Sequence, residues 1–221
     1  MDRLHAGFVR RGDLVFDIGA HVGDRVASFR RIGARIVVVE PQPALVKVLR
    51  LFYGRCSDVA IEAVAVGRSV GTTSLMINAD NPTVSTASPE FVAAARGAPD
   101  WDAQRWTRSV VVPVTTLDAL VGKHGPPAFI KIDVEGFERE ALQGLSRAVR
   151  ALSFEFTIIQ RDVALACIER CIALGYTRFN AALGESQTLV NADWVDGQAI
   201  ARWLAGLPHA ANSGDIYAAL A

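Results

Sequence analysis

Two hydrophobic rhythms alternate along the chain. Nearly unbroken apolar runs occupy Leu14–Ile18, Ile36–Val39, Val59–Val66, Val110–Val114, Ala128–Ile132 and Leu152–Phe156. Between them apolar residues recur at helical spacing, as at Val26, Phe29 and Ile32 within Arg25–Ile32. The same periodicity predicts helices over Ala44–Phe52 and Thr116–Val121, and another starting near Phe137. Apolar β-branched runs suit parallel strands covered on both faces, so the alternation predicts an α/β fold. Thr72–Ile77, entered through a turn between Gly67 and Gly71, reads as an exposed strand. The rhythm breaks at Asn78–Ser109, a polar stretch with Pro82, Pro89, Pro99, Trp101 and Trp106. An irregular segment this long is expected to be a mobile lid rather than a packed element. Its two tryptophans fit stacking on a sugar face and anchoring the loop equally well.

Composition narrows the class. With 221 residues, 51% of them hydrophobic, the chain can fill one core and is expected to be a single domain over 1–221. Lys plus Arg equals Asp plus Glu at 23 each, so no global field favours nucleic acid or an anionic membrane as partner. No apolar run approaches the roughly 20 residues of a membrane span. The stretch Met1–His5 lacks the apolar core of a signal peptide, and three cysteines do not suggest a disulfide scaffold. The expected location is cytoplasmic. Cys167 and Cys171, one helical turn apart without a second ligand pair, read as helix-core residues rather than a zinc site.

Candidate chemistry starts at the first strand. Asp17-Ile18-Gly19-Ala20-His21-Val22-Gly23 carries an apolar strand into a glycine turn, and the next strand ends at Glu40-Pro41. Glycines at Gly19 and Gly23 allow the backbone close to a ligand. Glu40, 23 residues after Asp17, has the spacing of a carboxylate that accepts ribose hydroxyls. The turn is Asp-x-Gly-x-x-x-Gly rather than Gly-x-Gly-x-x-Gly. Its leading acid would repel a pyrophosphate but suits the ammonium and sulfonium of S-adenosylmethionine. Small apolar contacts for adenine are offered by Ala65, Val66 and Gly67.

A second block, Lys131-Ile132-Asp133-Val134-Glu135-Gly136, closes a central strand with two carboxylates, and Glu155 ends another. In open α/β sheets the ligand crevice lies beyond the carboxyl ends of the strands. Asp17, Glu40, Asp133, Glu135 and Glu155 are therefore expected on one rim. Lys131, an ammonium in an apolar strand, needs a partner there, with Asp133 or Glu155 the candidates. Glu138 and Glu140 fall in a first helical turn, where the dipole favours them, and read as structural.

Taken with Ala63–Gly67, Thr116-Leu117-Asp118 and Gly214–Ala218, these segments resemble the FkbM family of S-adenosylmethionine-dependent methyltransferases. The family's loop often carries Asn where this chain has His21. The resemblance implies a Rossmann-like class I methyltransferase fold: a seven-stranded, mostly parallel sheet, last strand antiparallel, helices on both faces. It also implies O-methylation of a hydroxyl on a sugar or natural-product acceptor. Methyl transfer is an in-line displacement, so the protein must place the acceptor oxygen and take its proton. Asp133 or Glu135 is the expected base, with His21 and Glu155 as helpers. The cofactor set is Asp17, Gly19, Ala20, His21, Gly23, Glu40, Pro41, Ala65, Val66 and Asp133. Alternatives are an NAD(P)-dependent oxidoreductase, disfavoured by the glycine spacing, and a non-catalytic cofactor-binding protein. Asp133, Glu135 and Glu155 could hold Mg2+ through oxygen, but no carboxylate pair has a diagnostic spacing, and the preferred reading is metal-free.

Overall fold

The computed structural model describes all 221 residues, Met1–Ala221. In chain order the elements are α1 (Asp2–His5), β1 (Leu14–Ile18), α2 (Asp24–Ile32), β2 (Arg35–Val39), α3 (Pro43–Tyr53), β3 (Val59–Glu62), β4 (Ala65–Val66) and β5 (Gly71–Ile77). There follow α4 (Pro89–Ala95), β6 (Arg108–Thr115), α5 (Leu117–His124), β7 (Phe129–Ile132), α6 (Glu138–Gln143) and β8 (Ala151–Thr157). The chain ends with α7 (Arg161–Leu174), β9 (Arg178–Leu183), α8 (Gly197–Ala205) and β10 (Ser213–Ala219). Seven strands form the main sheet in the order β3-β2-β1-β7-β8-β10-β9. The strands from β3 to β8 pair in parallel, and β10, the last strand of the chain, pairs antiparallel with both β8 and β9. This is the sheet that the family resemblance implies.

Alternation along each strand divides the core between two faces. Phe16, Ile18, Val37, Val39, Ile130 and Ile132 join a cluster covered by α5, α6, α7 and α8. Val15, Ile36, Val38 and Phe129 point the other way, into a cluster with Val26 and Phe29 of α2, Leu49 of α3 and Leu4 of α1. The parity that puts Val15 and Phe129 on this second face also puts Asp17, Lys131, Ser153 and Asp215 there. Polar residues thus stripe the second face towards the carboxyl ends of the central strands. The in-register pairs Asp17–Lys131, Lys131–Ser153 and Glu155–Asp215 run across it.

Side-chain caps set several helix starts as residue chemistry requires. The Thr116 hydroxyl accepts from Ala119 N at 3.0 Å, and Ser88 does the same for Phe91 N at 3.1 Å. Cys167 and Cys171 are buried in α7.

Two expectations need correction. Val59–Val66 is not one strand: β3 stays in the main sheet, while β4 leaves it for a three-stranded sheet of order β4-β6-β5. The break at Ala63–Val64 follows Glu62, whose carboxylate is drawn to Lys123 at 2.6 Å and His124 at 2.7 Å. Residues 78–109 also contain a packed element after all. Helix α4 buries Phe91 completely, and Val84, Ala95 and Trp101 cluster around it. Trp101 stands edge-on to Phe91, and the Trp106 indole donates to Val84 O at 2.8 Å. Both tryptophans therefore anchor the segment rather than present a stacking face. A few apolar side chains around α4 outweighed the polar average that suggested an unpacked lid.

Candidate active site

A cleft of about 270 Å3 opens at the carboxyl ends of β1, β2, β7 and β8. Asp17, Gly19, Ala20, His21, Glu40, Pro41, Ala65, Val66, Asp133, Glu135 and Glu155 all line it. Among the expected residues Gly67 does not, and neither does Gly23. It caps α2 at φ 93°, and a Cβ there would meet the Tyr53 ring at 2.6 Å, so its role is packing.

The floor is the glycine turn after β1. Gly19 sits at φ +79°, and a Cβ added to it would lie 1.7 Å from Asp133 O. No other residue fits there, because backbone rather than a movable side chain fills the space. Gly19 N and Ala20 N donate to Val39 O at 2.9 and 3.2 Å, and Asp133 N donates to Ile18 O at 2.9 Å, tying three strand ends together. His21 N, from a residue at φ 50°, donates to Glu40 Oε2 at 2.9 Å, while Gln42 N donates to Oε1 at 2.8 Å. Glu40 is thereby fixed before any ligand arrives. Burial outweighs those two donors and pushes its carboxyl up to about 7. Asp17 is 2% exposed, its Oδ2 has no hydrogen-bond partner, and burial raises it likewise to about 7. A buried carboxylate oxygen left without a donor is costly, and a cationic or donor-rich ligand removes the cost. The orphaned oxygen, the Cβ-free turn and the pre-set Glu40 fit a ligand with an ammonium and a ribose.

The second half of the cleft is an acid cluster around one ammonium. Lys131 is buried, 3.2 Å from Asp133 Oδ2 and 2.6 Å from Asp215 Oδ1. Burial alone would lower its proton affinity, but Asp133, Asp215 and Glu155 raise it well above the ordinary lysine value. Asp215 was not expected in this role, and Glu155 makes no hydrogen bond to Lys131. For Asp133 burial is outweighed by Lys131, by the Glu155 carboxyl and by Arg25, so it stays below the usual range and ionised. Glu135 and Glu155 go the opposite way. Burial first, and the Asp133 charge second, push both well up. Carboxylate oxygens of Asp133, Glu135 and Glu155 lie within 4.8 Å of one another, a spacing that a divalent cation could also bridge.

Glu135 stands in the left-handed region at φ 52°, which for such a side chain costs on the order of 1 kcal/mol or more. The turn is held from its own helix by Glu138, whose Oε1 accepts from Val134 N at 3.0 Å and Gly136 N at 3.3 Å. Glu138 is structural, as its position in the first turn of α6 suggested. Glu140 pairs with Arg68 at 2.6 Å, away from the cleft.

Sequence reasoning missed Arg25 and Glu185. Both line the cleft and pair with each other at 2.9 Å across 160 residues. Arg25 was readable as the second residue of α2 beside the loop; Glu185, in the β9–α8 connection, carries no local signal. The segment 78–109 reaches the cleft through Pro82, Thr83, Ser85 and Ala87.

No curated protein matches the chain in sequence. Among solved structures it is similar to a TehB-like S-adenosylmethionine-dependent methyltransferase from Corynebacterium glutamicum, at 11% identity and TM-score 0.49 over 100% of this chain and 86% of that one. It is also similar to a precorrin-6Y C5,15-methyltransferase from Geobacter metallireducens, at 12% identity and TM-score 0.46 over 99% and 85%. An rRNA methylase from Streptococcus thermophilus follows at 12% identity and TM-score 0.47 over 100% and 94%. The Methyltransferase FkbM domain matches residues 17–204, from the acid of the glycine turn to the end of α8. On that match, and on a cleft built from its Asp17, Glu40 and Asp133–Glu135 segments, the chain belongs to the FkbM family of S-adenosylmethionine-dependent methyltransferases.

Proposed function

We propose that this enzyme methylates a hydroxyl group of a small sugar-like or natural-product acceptor, with Glu135 taking the hydroxyl proton. The observation that carries this reading is the division of labour among the cleft acids. Asp133 is ionised but spent on Lys131, whereas Glu135 has no cationic partner and a raised proton affinity. Of the two acids expected as base, Glu135 is the one that lines the cleft without an ion-pair partner, so its carboxylate, once ionised, is free to take a proton.

Asp17 and Glu40 would hold the cofactor, Asp17 through its orphaned oxygen and Glu40 through the ribose hydroxyls. Gly19 and Ala20 would lie beneath it, with Ala65 and Val66 against the adenine. When bound, S-adenosylmethionine supplies an electrophilic methyl group on sulfur. The chain's own residues then do the rest. Glu135 accepts the hydroxyl proton as the acceptor oxygen gains nucleophilic character, and Asp133, fixed by Lys131, keeps the rim geometry constant. His21 and Glu155 help to orient the acceptor. The Lys131 ammonium already supplies positive charge at the centre of the cluster, so the reading is metal-free.

A neutral acceptor is favoured by the charges in the cleft and by the formal net charge of zero, which gives a polyanionic nucleic acid no attractive field. Calorimetry with S-adenosylhomocysteine and NAD tests the cofactor half. Methyl transfer to a panel of glycosides and polyols, with and without EDTA, tests the rest. Tight S-adenosylhomocysteine binding with no transfer to any hydroxylated compound would leave a binding protein instead. Loss of transfer in EDTA would restore the metal.

A further inference from the structure

Glu135 is held from two sides, and only one of them belongs to its own strand–helix unit. The far side is supplied by the segment between β5 and β6. The Thr86 hydroxyl donates to Glu135 O at 2.6 Å and accepts from Ser88 N at 2.9 Å, so its single proton is committed to Glu135. Thr86 has no exposed surface, and its backbone is pinned as well: Thr86 N donates to Met76 O at 3.0 Å, and Met76 N donates to Thr86 O at 2.8 Å. The next residue in the turn, Gly136 at φ +86°, lies against Phe91, which a Cβ there would approach to 2.7 Å. A left-handed glutamate next to a left-handed glycine relaxes unless its surroundings over-determine it. Those surroundings are Glu138 on the near side and Thr86, Phe91 and Gln160 on the far side.

We propose that Thr86 is a positioning residue for Glu135: its hydroxyl, delivered by the segment between β5 and β6, locks the left-handed turn that presents the Glu135 carboxyl to the acceptor. The proposal rests on the role given to Glu135 above. The same segment lines the cleft through Thr83, Ser85 and Ala87, so the residues that shape the acceptor side also set the base. Thr86 touches no reacting atom and acts wholly through the turn.

The test compares Thr86→Val, which keeps shape and loses the hydroxyl, with Thr86→Ser, which keeps the hydroxyl. Three quantities are read: the backbone 13Cα and 13Cβ shifts of Glu135, the S-adenosylhomocysteine affinity, and the transfer rate to the best acceptor of the glycoside and polyol panel. Thr86→Val should move the Glu135 shifts out of the left-handed range and slow transfer about tenfold or more, with affinity changed by less than about twofold. Thr86→Ser should restore both. In a Glu135→Gln background Thr86→Val should cost less than about a further twofold, because residues that act through one another are not additive. Thr86→Ala serves in the same comparison if the valine variant does not fold. Unchanged Glu135 shifts, or an equal loss in the two backgrounds, would overturn the proposal. Failure of the wild-type protein to bind S-adenosylhomocysteine would overturn the underlying functional reading instead.

Discussion

At the residue scale, the cleft shows how one kind of side chain is given several tasks by its surroundings. Glu40 accepts two backbone N–H groups and is ready to receive hydroxyl donors. Removing its carboxylate as Glu40→Ala deletes a charged hydrogen bond worth about 1.5–3 kcal/mol, so S-adenosylhomocysteine should bind about 10- to 100-fold more weakly. Unchanged calorimetric affinity would remove Glu40 from the cofactor site. Asp133 and Glu135 differ by the presence of Lys131 beside the first. Neutralising the base as Glu135→Gln should lower turnover about 10²- to 10⁴-fold with cofactor affinity nearly constant. A larger effect from Asp133→Asn alone would transfer the role to Asp133, and a loss of only a few-fold in both would make catalysis a matter of placement.

At the element scale, the segment between β5 and β6 is the instructive case. Its polar average hid a helix whose Phe91, Ala95 and Trp101 form a small core of their own. Closure over the cleft is still an expectation for Thr83 and Ser85, which face the cavity on either side of the core residue Val84 and ahead of the pinned Thr86. Excluding water from a reactive methyl donor is the benefit such closure would bring. Amide exchange should show α4 and Thr86 protected in all states and Thr83 and Ser85 gaining protection only when S-adenosylhomocysteine and an acceptor are both bound. Equal protection throughout would make the segment a fixed wall. The third strand teaches the complementary lesson. Its apolar run was visible, but the switch at Ala63–Val64 depends on β6 being available as a second partner.

At the scale of the whole molecule, the acids create a linked response to pH. Burial holds Asp17 and Glu40 at about 7, above the ordinary 3.8 and 4.5 that the unfolded chain would show. A carboxyl whose folded value is raised contributes stability that is fully present below the unfolded value and lost as pH rises through the folded one. The shift of Glu40 corresponds to about 3 kcal/mol at most. Asp133, held low, works in the opposite sense and loses its contribution only under strongly acid conditions. Without ligand, the thermal midpoint should therefore fall between about pH 5 and pH 7, and Glu40→Gln should flatten that fall. A midpoint that rises over this range, unaltered in the variant, would contradict it. No helix of the structure is long and apolar enough to cross a membrane.

Local information sufficed for much of this. Apolar runs and helical spacing gave β1, α2, β2 and α5 to within a few residues, because each is decided by its own periodicity and caps. The acids of the rim were legible for the same reason: all stand at or just beyond the ends of four strands, Asp133 and Glu135 sharing one, and strand ends share an edge in this kind of sheet. The partners of those acids were decided by tertiary structure. Asp215 reaches Lys131 only because β10 inserts beside β8, and Arg25 meets Glu185 only because α2 and the β9–α8 connection share the mouth of the cleft. Thr86 meets Glu135 because the chain between β5 and β6 folds back over the sheet edge. Ion pairs and hydrogen bonds between distant segments leave no period in a sequence, so only the packed chain reveals which carboxyl is neutral, which is charged and which is held in place.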